Sequence, residues 1–153
     1  MNGLISRAAL NFYVTLRALS SPVAFGVSAL AFDRDGRVLL VRHSYQPGWM
    51  LPGGGVGRAE RPADAIKREL FEEVGLMRSG TPEFIALYTR NAGWVTNHVA
   101  LYRLVDVEID FKPNLEIRAV TFADPRNLPS GTTPPVARRI QELHDALPRT
   151  GYW

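Results

Sequence analysis

The sequence contains no cysteine in its 153 residues. Disulfide bonds, thiolate metal sites and cysteine nucleophiles are therefore excluded together. Its apolar runs are short, and none approaches the roughly 18 residues of a membrane-spanning helix. Lysine and arginine are scattered, without the basic run typical of a nucleic-acid-binding arm. From these absences we expect no transmembrane segment and no nucleic-acid polymer as a partner.

The composition is that of an ordinary globular domain, with 46% hydrophobic and 22% charged residues. A chain of this length can bury a core without disulfides or structural metals. The formal net charge of +3 suits an anionic substrate without requiring one. Because no targeting signal is evident, we expect the cytoplasm as the compartment.

The first 32 residues contain no aspartate or glutamate. Apolar residues recur there at helical spacing, which predicts an amphipathic helix over residues 1–21 before a domain over residues 22–153. We expect this helix to pack on its own domain or on a second subunit of a homodimer, with attachment to a membrane surface or organelle targeting as the alternatives. The apolar positions are Leu4, Ile5, Ala8, Ala9, Phe12, Tyr13, Leu16 and Leu19.

The remaining pattern predicts alternating strands and helices. The turn at residues 33–36 is expected to join the first two strands into a hairpin. Helices are expected from Pro62 to Gly75 and over residues 134–147. Strands are expected over residues 23–32, 37–43, 80–88, 97–107 and 117–122. This mixture indicates an α+β or α/β sandwich.

The most informative segment is residues 53–76, GGGVGRAERPADAIKRELFEEVGL. Glu69, Glu72 and Glu73 lie at i, i+3 and i+4, so they project from one side of the predicted helix. Magnesium prefers carboxylate oxygens together with waters and substrate phosphates. A glycine loop can add backbone groups to the same site. Taken alone, the three glutamates are also consistent with a solvated acidic face.

This segment resembles the Nudix box, a long ungapped motif in which every fixed position is filled. The resemblance implies the Nudix fold, an α+β fold built as an α/β/α sandwich with a mixed β-sheet between helices, here with an extra N-terminal amphipathic helix. It also implies Mg²⁺-dependent hydrolysis, with Mn²⁺ as a substitute, of a diphosphate linkage in a nucleoside diphosphate derivative or nucleoside triphosphate. The matching residues are Gly54, Glu60, Arg68, Glu69, Leu70, Glu72, Glu73, Gly75 and Leu76.

The same resemblance implies roles for the matched residues. The carboxylates of Glu69, Glu72 and Glu73 are expected to bind the metal, with the Gly53 carbonyl as a further ligand. Arg68 is expected to orient a neighbouring glutamate through charge-assisted hydrogen bonds, and Glu60 to support it. The general base that takes a proton from water is either Glu69 or Glu116, which lies in the loop before the last strand. Glu116 is equally consistent with an exposed loop glutamate that has no catalytic role.

Signals for substrate contacts are weaker, and a purely structural role stays open for each candidate. Arg42 can reach a phosphate from the end of its strand, whereas His43 is expected to be structural. Trp49 and Trp94 can stack on a base, although Trp49 is expected more to pack its own loop, and His98 can contact the substrate. Arg138 and Arg139 on the last helix are expected to be solvated.

Two other function classes remain as alternatives. One is a catalytically silent Nudix domain that senses nucleotides, although the intact glutamate set favours catalysis. The other is a membrane- or partner-associated protein that acts through its N-terminal helix. Isopentenyl-diphosphate isomerase shares the fold but depends on a cysteine, so it is set aside. The sequence does not identify the nucleotide or its leaving group.

Overall fold

The computed structural model describes residues 11–17, 19 and 22–153. The domain contains seven strands and two helices within residues 22–153. They are β1 (Val23–Ala31), β2 (Val38–His43), α1 (Pro62–Val74), β3 (Leu76–Arg78), β4 (Glu83–Ala92), β5 (Val95–Leu104), β6 (Glu108–Ile109), β7 (Ile117–Ala123) and α2 (Pro134–His144).

The main sheet has β5 at its centre, parallel to β1 on one side and antiparallel to β4 on the other. The glycine loop lengthens this sheet beyond β1, because the Val27 N–H donates to the Gly54 carbonyl at 2.9 Å. At the opposite edge the Thr89 N–H donates to the Gly151 carbonyl at 2.8 Å. The sheet is therefore mixed, as predicted, and the glycine loop is one of its edges.

Strand β2 pairs antiparallel with β7, and a single bridge joins its first residue, Val38, to Phe32, the residue that follows β1. The expected hairpin is therefore wrong, although its turn forms. The Asp33 carboxylate accepts the N–H groups of Asp35 and Arg37 at 3.0 and 2.9 Å. After the turn, β2 enters a second sheet. Residues 38–41 are all buried, so this strand is covered on both faces, which does not suit an exposed hairpin.

The two helices cover opposite faces of the sheets. Alternate residues of each strand point to opposite sides, and accordingly Ala29 packs in the core with α1 while Leu30 packs in the core with α2. Strand β2 divides in the same way, with Leu39 on the α1 side and Leu40 on the α2 side. This arrangement confirms the predicted α/β/α sandwich.

Some element boundaries differ from the prediction. Helix α1 has the expected limits, but α2 ends at His144, and Leu147 beyond it is 47% exposed. Strands β4 and β5 run further toward each other than expected, so only Gly93 and Trp94 separate them. Strands β3 and β6 were not predicted, because three and two residues are too few to show a periodic pattern.

The part of the N-terminal segment that is described is helical over residues 11–17. Two of its apolar side chains, Phe12 and Leu16, are 71% and 55% exposed, and packing of the helix on its own domain or on a second subunit stays a prediction. Residues 1–10, 18, 20 and 21 of the predicted helix lie outside the described residues. In the described ranges no helix has the length and apolar character to cross a membrane.

The two arginines of α2 behave differently from each other. Arg138 is exposed, as predicted, whereas Arg139 is completely buried, so its predicted solvation is wrong. Arg139 donates to Glu142 and to the Tyr152 carbonyl, both at 2.6 Å. Its guanidinium lies 4.1 Å from the ring centre of Tyr88, whose hydroxyl donates to Glu142 at 2.7 Å. The burial is tolerated because the charge is paired and partly hydrogen-bonded.

Candidate active site

Helix α1 arranges three carboxylates from surface to interior. It begins at Pro62 and ends at Gly75, whose N–H donates to the carbonyls of the last turn. The Glu72 side chain is 56% exposed, the Glu69 side chain 15%, and Glu73 as a residue only 3%. One helix therefore offers carboxylates to an open side while holding one of them in the protein interior.

Arg68 ties the outer carboxylates together. Its Nε donates to Glu60 at 2.8 Å, and its Nη1 donates to Glu69 at 2.8 Å and to Glu72 at 3.1 Å. Its Nη2 reaches the Gly55 carbonyl at 2.9 Å. The guanidinium beside Glu60 lowers the pKa of that carboxyl to about 2, helped by the Gly57 N–H. Arg68 thus contacts three carboxylates at once, and its expected role in orienting them stays a prediction.

The glycine loop approaches the helix so closely that side chains have no room. The Gly53 N–H donates to the Glu73 carboxylate at 2.9 Å, and Gly53 has φ of 147°, a conformation that favours glycine. A side chain there would also collide with the Val27 carbonyl. A Cβ at Gly54 would meet Glu69 Oε1 at 2.7 Å. The two glycines therefore let the loop lie directly against the carboxylates.

The Glu73 carboxyl is in an unusual electrostatic environment. Its pKa is raised to about 8, first by burial and also by the charges of Glu69, Glu116 and Glu72, although the hydrogen bond from Gly53 lowers it. A buried carboxylate is stabilised by a positive charge, which neighbouring acidic groups do not supply. A bound divalent cation would remove this unfavourable situation.

A second group of side chains meets Glu73 from outside the helix. His43 at the end of β2 and Glu116 before β7 each place a ligand-type atom within 4.8 Å of the other and of Glu73. Burial lowers the pKa of His43, opposed by the charge of Glu116. The Tyr45 hydroxyl donates to Glu116 at 3.5 Å. The motif did not indicate His43, whose expected role was structural.

Asn114 holds the Glu116 loop against the end of α1. Its side-chain oxygen accepts the N–H groups of Glu116 and Ile117 at 3.0 and 2.7 Å, and its amide nitrogen donates to the Glu73 carbonyl at 3.1 Å. The Ser44 N–H donates to the Glu116 carbonyl at 2.8 Å. Sequence reasoning missed Asn114, because no local pattern links a loop residue to a helix 41 positions away.

The substrate-contact candidates are distributed unevenly around this site. The guanidinium of Arg42 lies 4.4 Å from the Trp49 ring centre, one residue before His43. Trp94 is 82% exposed in the β4–β5 turn. His98 contacts the Thr89 hydroxyl at 3.0 Å through its Nδ1. Arg42 therefore stacks on Trp49 and directly precedes His43 in the sequence. Trp94 lies instead in the turn between β4 and β5, and His98 lies on β5.

A separate open groove of about 940 Å³ lies at the other end of the β2–β7 ladder. It is lined by charged side chains that include Arg37 before β2 and Asp124 after β7, and by His144 at the end of α2. None of the motif glutamates lines it. Its volume alone does not make the groove the reactive site, because the carboxylates of α1 lie elsewhere.

An α/β/α sandwich whose glycine loop packs on a carboxylate-bearing helix agrees with the Nudix fold expected from the sequence. The NUDIX domain model matches residues 22–143, and the chain belongs to this family.

Sequence relatives match part of the chain. RNA pyrophosphohydrolase of Shewanella sediminis is 38% identical over 69 residues, which are 45% of this chain and 38% of that protein. RNA pyrophosphohydrolase of Proteus mirabilis is 43% identical over 65 residues, 42% of this chain and 36% of that protein. The chain therefore spans about two fifths of the length of the curated relatives that it matches.

Solved structures agree over most of the domain. The crystal structure of a MutT NUDIX hydrolase from Burkholderia pseudomallei superposes with a TM-score of 0.70 at 23% identity. The superposition covers 80% of this chain and 99% of that one. At this identity the likeness establishes the fold.

Proposed function

We propose that the protein is a Nudix pyrophosphohydrolase that uses a divalent cation, Mg²⁺ or Mn²⁺, to hydrolyse a diphosphate linkage in a small nucleotide-like substrate. The observation that carries the proposal is the buried Glu73 carboxyl, held by the Gly53 N–H beside Glu69 and Glu72. Arg68 pairs with Glu69 and Glu72, but Glu73 is buried beside like charges, which is unfavourable for the stability of the fold without a cation.

The residues fit a hard divalent cation, because the donors are carboxylate oxygens on one helix and backbone groups of the adjacent loop. Glu69, Glu72, Glu73 and the Gly53 carbonyl are the proposed ligands. When bound, the cation neutralises the diphosphate and lowers the pKa of a bound water. Arg68 positions Glu69 and Glu72 through its Nη1, so these side chains are oriented before substrate arrives.

Water attacks a phosphorus of the diphosphate, the P–O bond to the leaving phosphate or nucleotide breaks, and a carboxylate takes the proton from water. Glu69 and Glu116 remain the two candidates for this base. We propose Arg42, stacked on Trp49, as a contact for a substrate phosphate, and Trp94 and His98 as contacts for the rest of the nucleotide. We also propose that the protein is cytoplasmic and forms a homodimer.

The names of the sequence relatives point to a second candidate substrate, RNA with a 5′-triphosphate. The two relatives described above are named RNA pyrophosphohydrolases, so 5′-triphosphorylated RNA belongs beside free nucleotides in any test. The scattered basic residues of this chain argue for the small substrate, since binding of a polymer relies on clustered phosphate contacts.

The test incubates the protein with Mg²⁺ in ¹⁸O-labelled water and a panel of nucleoside triphosphates, oxidised nucleotides, nucleotide sugars, dinucleoside polyphosphates and triphosphorylated RNA. We expect turnover of one class of free nucleotide, with ¹⁸O in one phosphate-containing product. Turnover of RNA alone would contradict the small-molecule proposal. Nucleotide binding without turnover of any compound would instead favour the sensing domain.

A further inference from the structure

We propose that the imidazole of His43 joins the carboxylates of Glu73 and Glu116 in a mixed nitrogen–oxygen cation site that selects a first-row transition ion over Mg²⁺. The three side chains come from β2, from α1 and from the loop before β7, so only the folded chain brings them together. The inference deepens the proposed function, because Glu73 also belongs to the glutamate set of α1.

The state of the His43 ring is an independent indication of a ligand. The residue is 8% exposed, and its Nδ1 is buried without a hydrogen-bond partner in the portion of the chain that the structure describes. Buried polar atoms in folded proteins nearly always have a partner, and an unpaired one calls for an explanation such as an ion or water. The same ring has a nitrogen within 4.8 Å of carboxylate oxygens of Glu73 and Glu116, and its centre lies 5.1 Å from that of the Tyr45 ring.

The spacing suits one ion. The ligand-type atoms of the three residues all lie within 4.8 Å of one another. Two ligands bound at about 2.1 Å to the same ion are at most about 4.2 Å apart, so side-chain adjustments of less than 1 Å close the site. Glu116 is exposed and can make this adjustment, whereas His43 and Glu73 are fixed by burial.

The donor set decides the kind of cation. Mg²⁺ takes oxygen ligands almost alone, whereas neutral imidazole is a preferred ligand of first-row transition ions. Replacing one oxygen by nitrogen therefore shifts selectivity away from Mg²⁺. The hydrogen bonds that Asn114 makes to Glu116 and to the end of α1 hold two of the three elements in register for this purpose.

The test uses the full chain and Mn²⁺ alone, since Mn²⁺ is paramagnetic and accepts both donor types. Pulsed electron paramagnetic resonance of the Mn²⁺-loaded protein should show coupling to an imidazole ¹⁴N. The coupling should disappear in His43→Gln and persist in His144→Gln, an exposed histidine at the end of α2. Its absence from the unmodified protein, its persistence in His43→Gln or its loss from both variants would overturn the proposal.

Affinity provides a second readout. His43→Gln should weaken Mn²⁺ binding about tenfold or more and Mg²⁺ binding less than about twofold. Should His43→Gln not fold, Glu116→Gln changes an exposed loop side chain and should weaken Mn²⁺ binding to a similar extent. An equal loss for both ions in His43→Gln, or an unchanged Mn²⁺ affinity in Glu116→Gln, would contradict the site.

These measurements separate this inference from the proposed function. Imidazole coupling in a protein that hydrolyses no compound in the panel would leave the cation site standing and remove the hydrolase. Hydrolysis with Mg²⁺ in a protein without imidazole coupling would do the reverse.

Discussion

At the scale of single residues, Glu73 carries the largest electrostatic cost in the site. Its carboxyl is buried, faces other acidic groups and has one hydrogen bond from the Gly53 backbone. The free energy of ionising it inside the protein is therefore unfavourable without a cation. Cation binding and the stability of the domain are consequently linked through this one side chain.

The raised pKa of Glu73 predicts how stability depends on pH in chelator. The folded pKa of about 8 lies above the unfolded value of 4.5. The contribution to stability is therefore complete below pH 4.5 and is lost as pH rises toward 8. Relative to Glu73→Gln, the melting temperature of the unmodified protein should fall by roughly 10–20 °C over this range.

Calorimetry at several pH values, with and without a divalent cation, measures this effect. Addition of the cation at pH 8 should restore the lost stability in the unmodified protein and have little effect on Glu73→Gln. Parallel pH profiles of the two proteins in chelator would refute the link.

The neighbouring glycines predict two different defects. In Gly54→Ala the three atoms nearest to the new Cβ all belong to the Glu69 carboxylate, the far end of a flexible side chain. The variant should fold with a melting temperature within about 3 °C of the parent, but its cation affinity should fall about tenfold. In Gly53→Ala the Cβ meets the backbone of β1 and φ is unfavourable, so the fold itself should be destabilised.

Thermal melts and calorimetric cation titration of the two variants distinguish these outcomes. Unchanged cation affinity in a folded Gly54→Ala protein would show that the close approach of Glu69 is not required.

At the scale of secondary-structure elements, α1 and α2 differ in how much the sequence could reveal. The limits of α1 are encoded locally, by Pro62 at its start and Gly75 at its end, and both were predicted. The buried Arg139 of α2 was not, because its cover comes from Tyr88 on β4 and from the Tyr152 backbone. The periodicity of apolar residues within a helix does not indicate contacts with residues so far away in the sequence.

The Arg139 ion pair predicts a matched contrast on α2. Removing one member of a buried pair leaves the other charge uncompensated, so Arg139→Gln should lower the free energy of unfolding by about 3–5 kcal/mol. Arg138→Gln, at the exposed adjacent position, should change it by less than about 0.5 kcal/mol. Urea unfolding measures both. Similar small changes in the two variants would mean that the buried pair contributes little.

Strand β2 shows a second limit of local prediction. Its existence was predicted from its apolar residues, but its partner was not, since a turn at residues 33–36 is compatible with either a hairpin or a change of sheet. The actual pairing with β7 brings His43 to the Glu116 loop. The box glutamates could thus be predicted from one segment, whereas His43 and Asn114 required the long-range fold.

At the scale of the whole molecule, the exposed N-terminal helix suggests self-association. Phe12, Leu16 and Leu19 are each at least 55% exposed, and apolar side chains clustered on a surface favour an interface. We expect a homodimer of this 17.0 kDa chain in solution. The double substitution Phe12→Ser and Leu16→Ser should yield a monomer with an unchanged melting temperature.

Light scattering coupled to size-exclusion chromatography measures the mass. Met77→Ser, which removes a side chain that is 72% exposed elsewhere on the surface, should leave the dimer intact. A monomeric unmodified protein would rule out this interface.

The central claim is that the carboxylates of α1 carry metal-dependent hydrolysis. The most direct measurement is the hydrolysis rate of the responsive nucleotide class for the unmodified protein, Glu72→Gln, Glu73→Gln and Asp64→Asn, each with Mg²⁺ and with chelator. Asp64 is the control because it lies on the same helix but pairs with Arg61 outside the cluster. We predict a loss of about 100-fold or more in chelator and in both glutamate variants, with Asp64→Asn within about twofold of the unmodified protein. Hydrolysis that survives chelator, or that persists in both glutamate variants, would contradict the account.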